Sequence, residues 1–338
     1  MSRLRILGTI GLGTSVVSLV LIFFGASSAL AGWLAGMAYW SGVPIGALGL
    51  VMMMQIIPGP WRPELMPWAE RLLLLLPLAA LAALPVLVGE SWLYTWAHVA
   101  EPGFRGVYLS VWAFPLRTVL FFVVITGLAL FLLMRPATAA ALSAAGLVIF
   151  VLLDTTMIID WLMSLDPSFH SSGFGLYGVS IQFAVAMAVI LLLRLSAAPP
   201  GEHAGMLGGL LLMALLTWTY LAFMQYVIIW SDNIGHGMQW YKRRGEGGWA
   251  LIAYIVAATQ LIPLFLLFFT PIRRSRGWLI GLCLVVLFGK ALEMAWLVLP
   301  TVPSAGLGAM SMTLAMVGLC VCGFAAFSLP PLRRLAPL

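Results

Sequence analysis

Charge is scarce in this chain. Lys and Arg make up 17 of its 338 residues and Asp and Glu 11, so 8% of the chain is charged, against about 25% in an ordinary soluble domain. So few charges cannot cover the surface of a soluble globule of this size. A water-soluble enzyme, a nucleic-acid binder and a disordered chain are thereby excluded. Cysteine is as rare. Cys283, Cys320 and Cys322 have neither CxxC nor CxxCH spacing, so no disulfide framework, zinc site or covalent haem is encoded. The four histidines, His98, His170, His203 and His236, all fall between apolar runs, whereas a b-type haem would need them inside one. What is abundant is apolar: 63% of residues are hydrophobic and the mean hydropathy is +1.08. The fold class is all-α integral membrane.

In hydrocarbon every backbone polar group must be satisfied within its own segment, so long apolar runs are helices. At about 20 residues per crossing, about ten transmembrane helices are expected, over 6–25, 31–56, 66–88, 107–133, 137–163, 173–196, 205–230, 247–271, 277–299 and 306–328. Pro, Gly and charge mark the breaks: PGPWRPE, EPGFRG, the Arg-Pro at 135–136, LDPS at 165–168 and PPGE at 199–202. One side collects Arg3, Arg5, Arg62, Arg71, Arg135, Arg194, Arg273, Arg274, Arg276, Arg333 and Arg334. The other collects Arg105, Lys242, Arg243 and Arg244. This excess puts both termini in the cytoplasm. Trp92, Trp96, Trp230 and Trp240 lie near the outer ends, as an interfacial aromatic belt requires. The start of the chain also reads as a signal peptide ending at Ala29-Leu30-Ala31, although its apolar stretch is long for a signal and its removal leaves an odd number of spans.

An ionisable side chain at bilayer depth costs roughly 2.5–3.5 kcal/mol, so each is a functional candidate. Here they are Arg117, Asp154, Asp160, Lys290 and Glu293, with Glu70 and Arg71 near an inner end. At 1.5 Å per residue, Arg117 and Asp154 fall roughly 15 and 14 Å from the outer ends of adjacent antiparallel spans. An Arg117–Asp154 ion pair is therefore expected, while Asp160 is shallow enough to be solvated. Lys290 and Glu293 are spaced i,i+3 and share a helix face. Gln225 and Gln260 fall in the same outer half. The functional reading is a proton-conducting or quinone-facing pocket open to the outside. The structural reading is a set of charge pairs that fix helix register. The 18 Met read as packing filler, and glycines such as Gly46 and Gly49 as close helix approaches.

Several segments resemble a known family. DWLMSLDPSFHSSGFGLYG at 160–178 is similar to a loop of ActF-type membrane subunits of alternative complex III, within the NrfD and polysulfide-reductase membrane-subunit superfamily. YLSVWAFPLR at 108–117 resembles that family's Tyr-Leu-Asn-x-Pro-Phe-Phe-x-x-Arg stretch, with Arg117 on the family arginine. MQYVIIWSDNI at 224–234, WYKRRGEGGW at 240–249 and LPVLVGESWLYTWAH at 84–98 agree in order. Met54, Gln55, Ser168, His236 and Gly237 depart from the pattern.

The resemblance implies two four-helix bundles flanked by single helices. Residues 1–30 would form the first transmembrane helix and loop, 31–163 and 164–300 the bundles, and 301–338 the last helix and a cytoplasmic tail. It implies a multi-pass subunit of a bacterial inner-membrane, quinol-oxidising electron-transfer complex, not catalytic alone and holding no redox metal itself. Quinol would bind at this subunit or a neighbour. Partners would be a homologous quinol-binding membrane subunit, a multihaem cytochrome and an iron–sulfur subunit, besides the lipid bilayer. Expected proton-transfer residues are Arg117, Asp154, Asp160, Lys290 and Glu293. Gln225, Gln260, His98, Asp166 and His170 are expected at a polar pocket or interface. The alternatives are a secondary transporter, which would show inverted repeats and helices broken near mid-membrane, and a purely structural scaffold.

Overall fold

A computed structural model describes residues 2–99, 103–134, 140–199, 201–231 and 235–328. The breaks expected at 101–102, 135–136 and 200, the Asp232–Ile234 segment and the Arg333–Arg334 tail lie outside them, as does the side chain of His236. Every regular element among the described residues is a helix. In chain order they are α1 (Ser2–Val20), α2 (Ala26–Ile56), α3 (Trp61–Leu73), α4 (Leu76–Val88), α5 (Glu90–Leu93), α6 (Phe104–Tyr108), α7 (Ala113–Met134), α8 (Ala140–Trp161), α9 (Phe174–Ala197), α10 (Ala204–Ser231), α11 (Gly235–Gly245), α12 (Gly247–Leu266), α13 (Thr270–Arg274), α14 (Arg276–Val298) and α15 (Ala305–Phe327). Among the described residues nine helices are long and apolar enough to cross a membrane, or ten when α3 and α4 count as one span bent by 44°. That bend falls at Leu74–Leu75, whose amides turn back to Arg71 and Leu72 oxygens at 3.3 and 3.0 Å. Pro77 follows within the first turn of α4, where its missing N–H costs nothing.

The long helices alternate in direction. One end of the molecule, called terminal here, carries the start of α1 and the end of α15. The other, called distal, carries α5, α6, α11 and the 162–173 loop. α2 is the central element. It packs on α3, α4, α8, α9, α14 and α15, and it is apolar all round because it has no lipid-facing side. α2, α3–α4, α7 and α8 pack side by side, as do α9, α10, α12 and α14, and α2 meets α9 and α14 between the two groups. α1 and α15 pack on each other and against α2.

Small residues permit these approaches, because helices in lipid associate through van der Waals contact rather than through expulsion of water. A Cβ on Gly32 would lie 2.1 Å from the Gly308 oxygen, and one on Gly46 would lie 2.4 Å from the Gln182 oxygen. Ser311 donates to the Ala29 oxygen at 2.7 Å, and Ser18 donates to the Ser311 oxygen at 2.8 Å. Both bonds satisfy hydroxyls that would otherwise be stranded in an apolar seam.

Candidate functional site

The most deeply embedded ionic group lies between α9, α10 and α14. Lys290 and Glu293 are one turn apart on α14, and both are buried. Their ion pair measures 2.8 Å, Nζ to Oε2. Glu293 Oε1 accepts from the Tyr177 hydroxyl of α9 and, at 2.8 Å, from the Trp218 indole N–H of α10. The Lys290 ammonium also lies 3.5 Å from the centre of the Trp218 ring. On another face of α14, Gly289 admits the approach of α12, since a Cβ there would lie 2.0 Å from Thr259 Oγ1 and 2.3 Å from Gln260 Nε2. Charge-assisted bonds of this kind are what make a buried ion pair tolerable.

Above Glu293, toward the distal end, is a cavity of about 150 Å³, walled by Tyr177, Trp218, Gln225, Tyr226, Tyr241 and Trp296 among others. Gln225 donates to the Tyr241 hydroxyl at 3.3 Å, while its own carbonyl oxygen is buried without a partner among the described residues. Tyr226, Tyr241, Ala253 and Trp296 also line a second cavity of about 600 Å³, nearer the distal end. Together the two form an aromatic crevice with Glu293 in the wall of its inner part. Gln260 is buried and donates to the Val286 oxygen at 3.2 Å, so it braces α12 against α14 and does not line the crevice.

The first group of helices holds two further polar clusters, and here the sequence expectation needs correction. Arg117 does not pair with Asp154. Its Nε donates to Asp160 Oδ2 at 2.7 Å and its Nη1 to the Tyr108 oxygen at 2.8 Å, and its guanidinium lies 3.9 Å from the centre of the Tyr108 ring. The reason is where the span begins. α7 starts at Ala113 rather than 107 because Phe104–Tyr108 forms the separate α6. Arg117 is therefore only roughly 6 Å into its helix and meets the end of α8 instead of its middle. Asp160, expected to be solvated, is 0% exposed. Asp154 is buried too and, among the described residues, accepts only from Gln182 Nε2, at 3.2 Å. Its Oδ2 and the Gln182 Oε1 are buried without a partner.

The remaining expected residues lie at the distal surface. Asp166 caps its own loop, accepting from the Ser168 hydroxyl at 2.6 Å, and its Oδ2 pairs with Arg243 of α11. Phe169 stacks on Trp240 at 4.4 Å, so the 162–173 loop is clamped to α11 by one ion pair and one ring contact. His98 and His170 are exposed. Each bonds a nearby backbone oxygen, that of Ser91 at 2.6 Å and that of Ser168 at 3.1 Å. Glu90, not anticipated as a site residue, is buried at the distal end, and burial pushes its carboxyl up from 4.5 to about 7.

Tyr177, Trp218, Gln182 and Arg244 were also missed. The first three each carry a polar atom inside an apolar run. A polar tip at bilayer depth was the available signal, since buried Tyr and Trp usually find a hydrogen-bond partner. Arg244 was read as part of a basic loop, although it is 1% exposed. No group of three metal-ligating side chains occurs among the described residues.

Compared with known proteins, the chain matches no family model and no curated protein. Its class rests on its own geometry. It is an all-α, multi-pass integral membrane protein whose apolar helices contact the lipid bilayer.

Proposed function

We propose that this chain is a membrane subunit of a quinol-oxidising respiratory electron-transfer complex, serving in subunit docking and in proton transfer through a half-channel on its distal side. The observation that supports the proton role is the Lys290–Glu293 pair beside the crevice. A proton carrier in lipid must tolerate the loss of its partner's charge. If Glu293 takes a proton, Lys290 keeps the Trp218 ring face. If Lys290 gives one up, Glu293 keeps the Tyr177 hydroxyl and the Trp218 N–H. Glu293 lies roughly 7.5 Å from the distal end of α14. Quinol oxidation releases protons with its electrons, and a titratable pair near one aqueous face can carry them.

The respiratory assignment rests on the resemblance of 160–178 and its companion segments to ActF-type subunits. It brings a homologous quinol-binding subunit, a multihaem cytochrome and an iron–sulfur subunit as partners. The Lys and Arg bias makes the terminal side cytoplasmic in a bacterial inner membrane and the crevice outward-facing.

Purification of the tagged chain from its native membrane in mild detergent tests the assignment. Haem absorbance and co-purifying iron–sulfur protein are expected; solute uptake by the reconstituted chain alone, without partners, overturns the reading. In the assembled complex Glu293→Gln should lower the rate of quinol oxidation, and proton release with it, several-fold while assembly persists, because each electron taken from quinol must be matched by a departing proton. Unchanged turnover and proton stoichiometry would remove the proton role.

A further inference from the structure

We propose that the distal crevice between α10, α11 and α12 binds the phosphodiester headgroup of an anionic phospholipid, with Arg244 as its charge partner. The first ground is an imbalance of charge. α11 carries three consecutive cations. Lys242 reaches Glu246 at 3.8 Å, and Arg243 pairs with Asp166. Arg244 has no carboxylate within ion-pair distance among the described residues and is 1% exposed. Nη1 donates to the Trp240 oxygen at 3.2 Å and Nη2 to the Leu297 oxygen at 2.7 Å, while Nε is buried without a partner among the described residues. A guanidinium offers five N–H groups, so most of its donor capacity is unused. The Arg244 guanidinium also lies 3.7 Å from the centre of the Trp240 ring; a buried cation whose contacts among the described residues are two neutral carbonyls and one ring face, with no carboxylate, calls for an anion. Burial and the neighbouring Arg243 lower its pKa, yet only to about 9, so it is charged at pH 7.

The second ground is the cavity that Arg244 helps to line, about 600 Å³ in volume. Its other walls include Tyr226, Trp230, Tyr254 and Trp296. Trp230 and Tyr254 are 65% and 74% exposed. They stand on the outer faces of α10 and α12, so the mouth opens sideways at the level where amphipathic rings meet lipid headgroups. Ile229, Met238 and Ala250 complete an apolar rim. A free inorganic anion would use the arginine and leave this rim idle. A phospholipid uses both, its phosphate oxygens accepting from Arg244 and its acyl chains covering the rim. Lys242, with its side chain 75% exposed, adds attraction at the entrance. Among the described residues Glu246 and Asp166 are the opposing charges nearby, each already paired with a cation.

This inference does not depend on the respiratory reading, because it is tested on the isolated full-length chain with no redox partner. The chain in neutral detergent is titrated with short-chain phosphatidylglycerol while thermal unfolding is followed. A melting temperature that rises with the logarithm of lipid concentration above the dissociation constant is expected, because a ligand at free concentration L held only by the native state stabilises it by RT ln(1 + L/Kd). Short-chain phosphatidylcholine and inorganic phosphate should give little rise. Arg244→Gln should weaken phosphatidylglycerol binding at least about tenfold, the usual scale for losing one partner of a buried charge contact. Tyr254→Glu puts a carboxylate in the cavity wall without touching the backbone bonds of Arg244, and it should weaken binding similarly. It decides the matter if Arg244→Gln does not fold. Arg62→Gln, at the terminal end, should bind like the parent. Equal binding by the parent and both crevice variants overturns the proposal, as does equal stabilisation by phosphatidylcholine or by inorganic phosphate.

Discussion

The two ion pairs inside the helical bundle solve one problem at different depths. Arg117–Asp160 lies near the distal end of its helices, and its arginine side chain is 20% exposed. Lys290–Glu293 lies deeper, at 0% and 1% exposure, and is enclosed by Tyr177 and Trp218. In the shallow pair the arginine reaches the surface while Asp160 stays buried. The deep pair must be served entirely by protein. Depth therefore sets how much surrounding chemistry an ion pair demands, and the residues around the deep pair are the more specialised for it.

The largest expected effect comes from breaking the deep pair. Glu293→Leu leaves a buried, unpaired ammonium and should cost about 3–5 kcal/mol, read as a lower unfolding midpoint in detergent. Removing both charges, as Lys290→Met with Glu293→Leu, should restore most of that stability, because two apolar groups of similar size replace a pair that had to be desolvated. A double variant as unstable as the single one would mean that the pair contributes more than mutual neutralisation. Arg117→Gln is the matched test at the shallow site. A loss of about 1–2 kcal/mol is expected, in the range for stranding one buried partner of a hydrogen bond. A loss equal to that of Glu293→Leu would erase the contrast of depth.

The smallest effect concerns Glu90, at the same distal end as Arg117. Its carboxyl is raised from 4.5 to about 7 by burial, so the folded state favours the protonated form. Its stabilising contribution is complete below about pH 4.5 and is lost as pH rises through about 7. Glu90→Gln should flatten the pH dependence of the melting temperature across that window. An unaltered pH profile would mean that Glu90 is as well hydrated when folded as when unfolded.

The i,i+3 spacing of Lys290 and Glu293 was readable because both partners share one helix, whose 3.6-residue period fixes their neighbourhood. The Arg117–Asp160 pair was not, because it depends on where α7 begins. The sequence runs apolar from 107, and nothing local distinguishes a span that starts there from one that starts at Ala113 behind a short α6. A shift of six residues along the helix is roughly 9 Å, and six is also the spacing between Asp154 and Asp160. Asp154 consequently takes an amide, Gln182, as its partner. The Asp166–Arg243 clamp links positions 77 residues apart, beyond the reach of any periodicity.

Composition alone decided that this is an all-α chain embedded in lipid. With 8% of residues charged, long apolar runs can satisfy their backbone only as helices, a constraint that acts segment by segment. Which helices touch, and therefore which charges meet, was decided only by the assembled bundle. Packing between helices is set by surface shape, by small residues such as Gly46 against Gln182 and Gly289 against Thr259, and by where each span starts. Those quantities belong to pairs of distant segments and are fixed only when the segments meet.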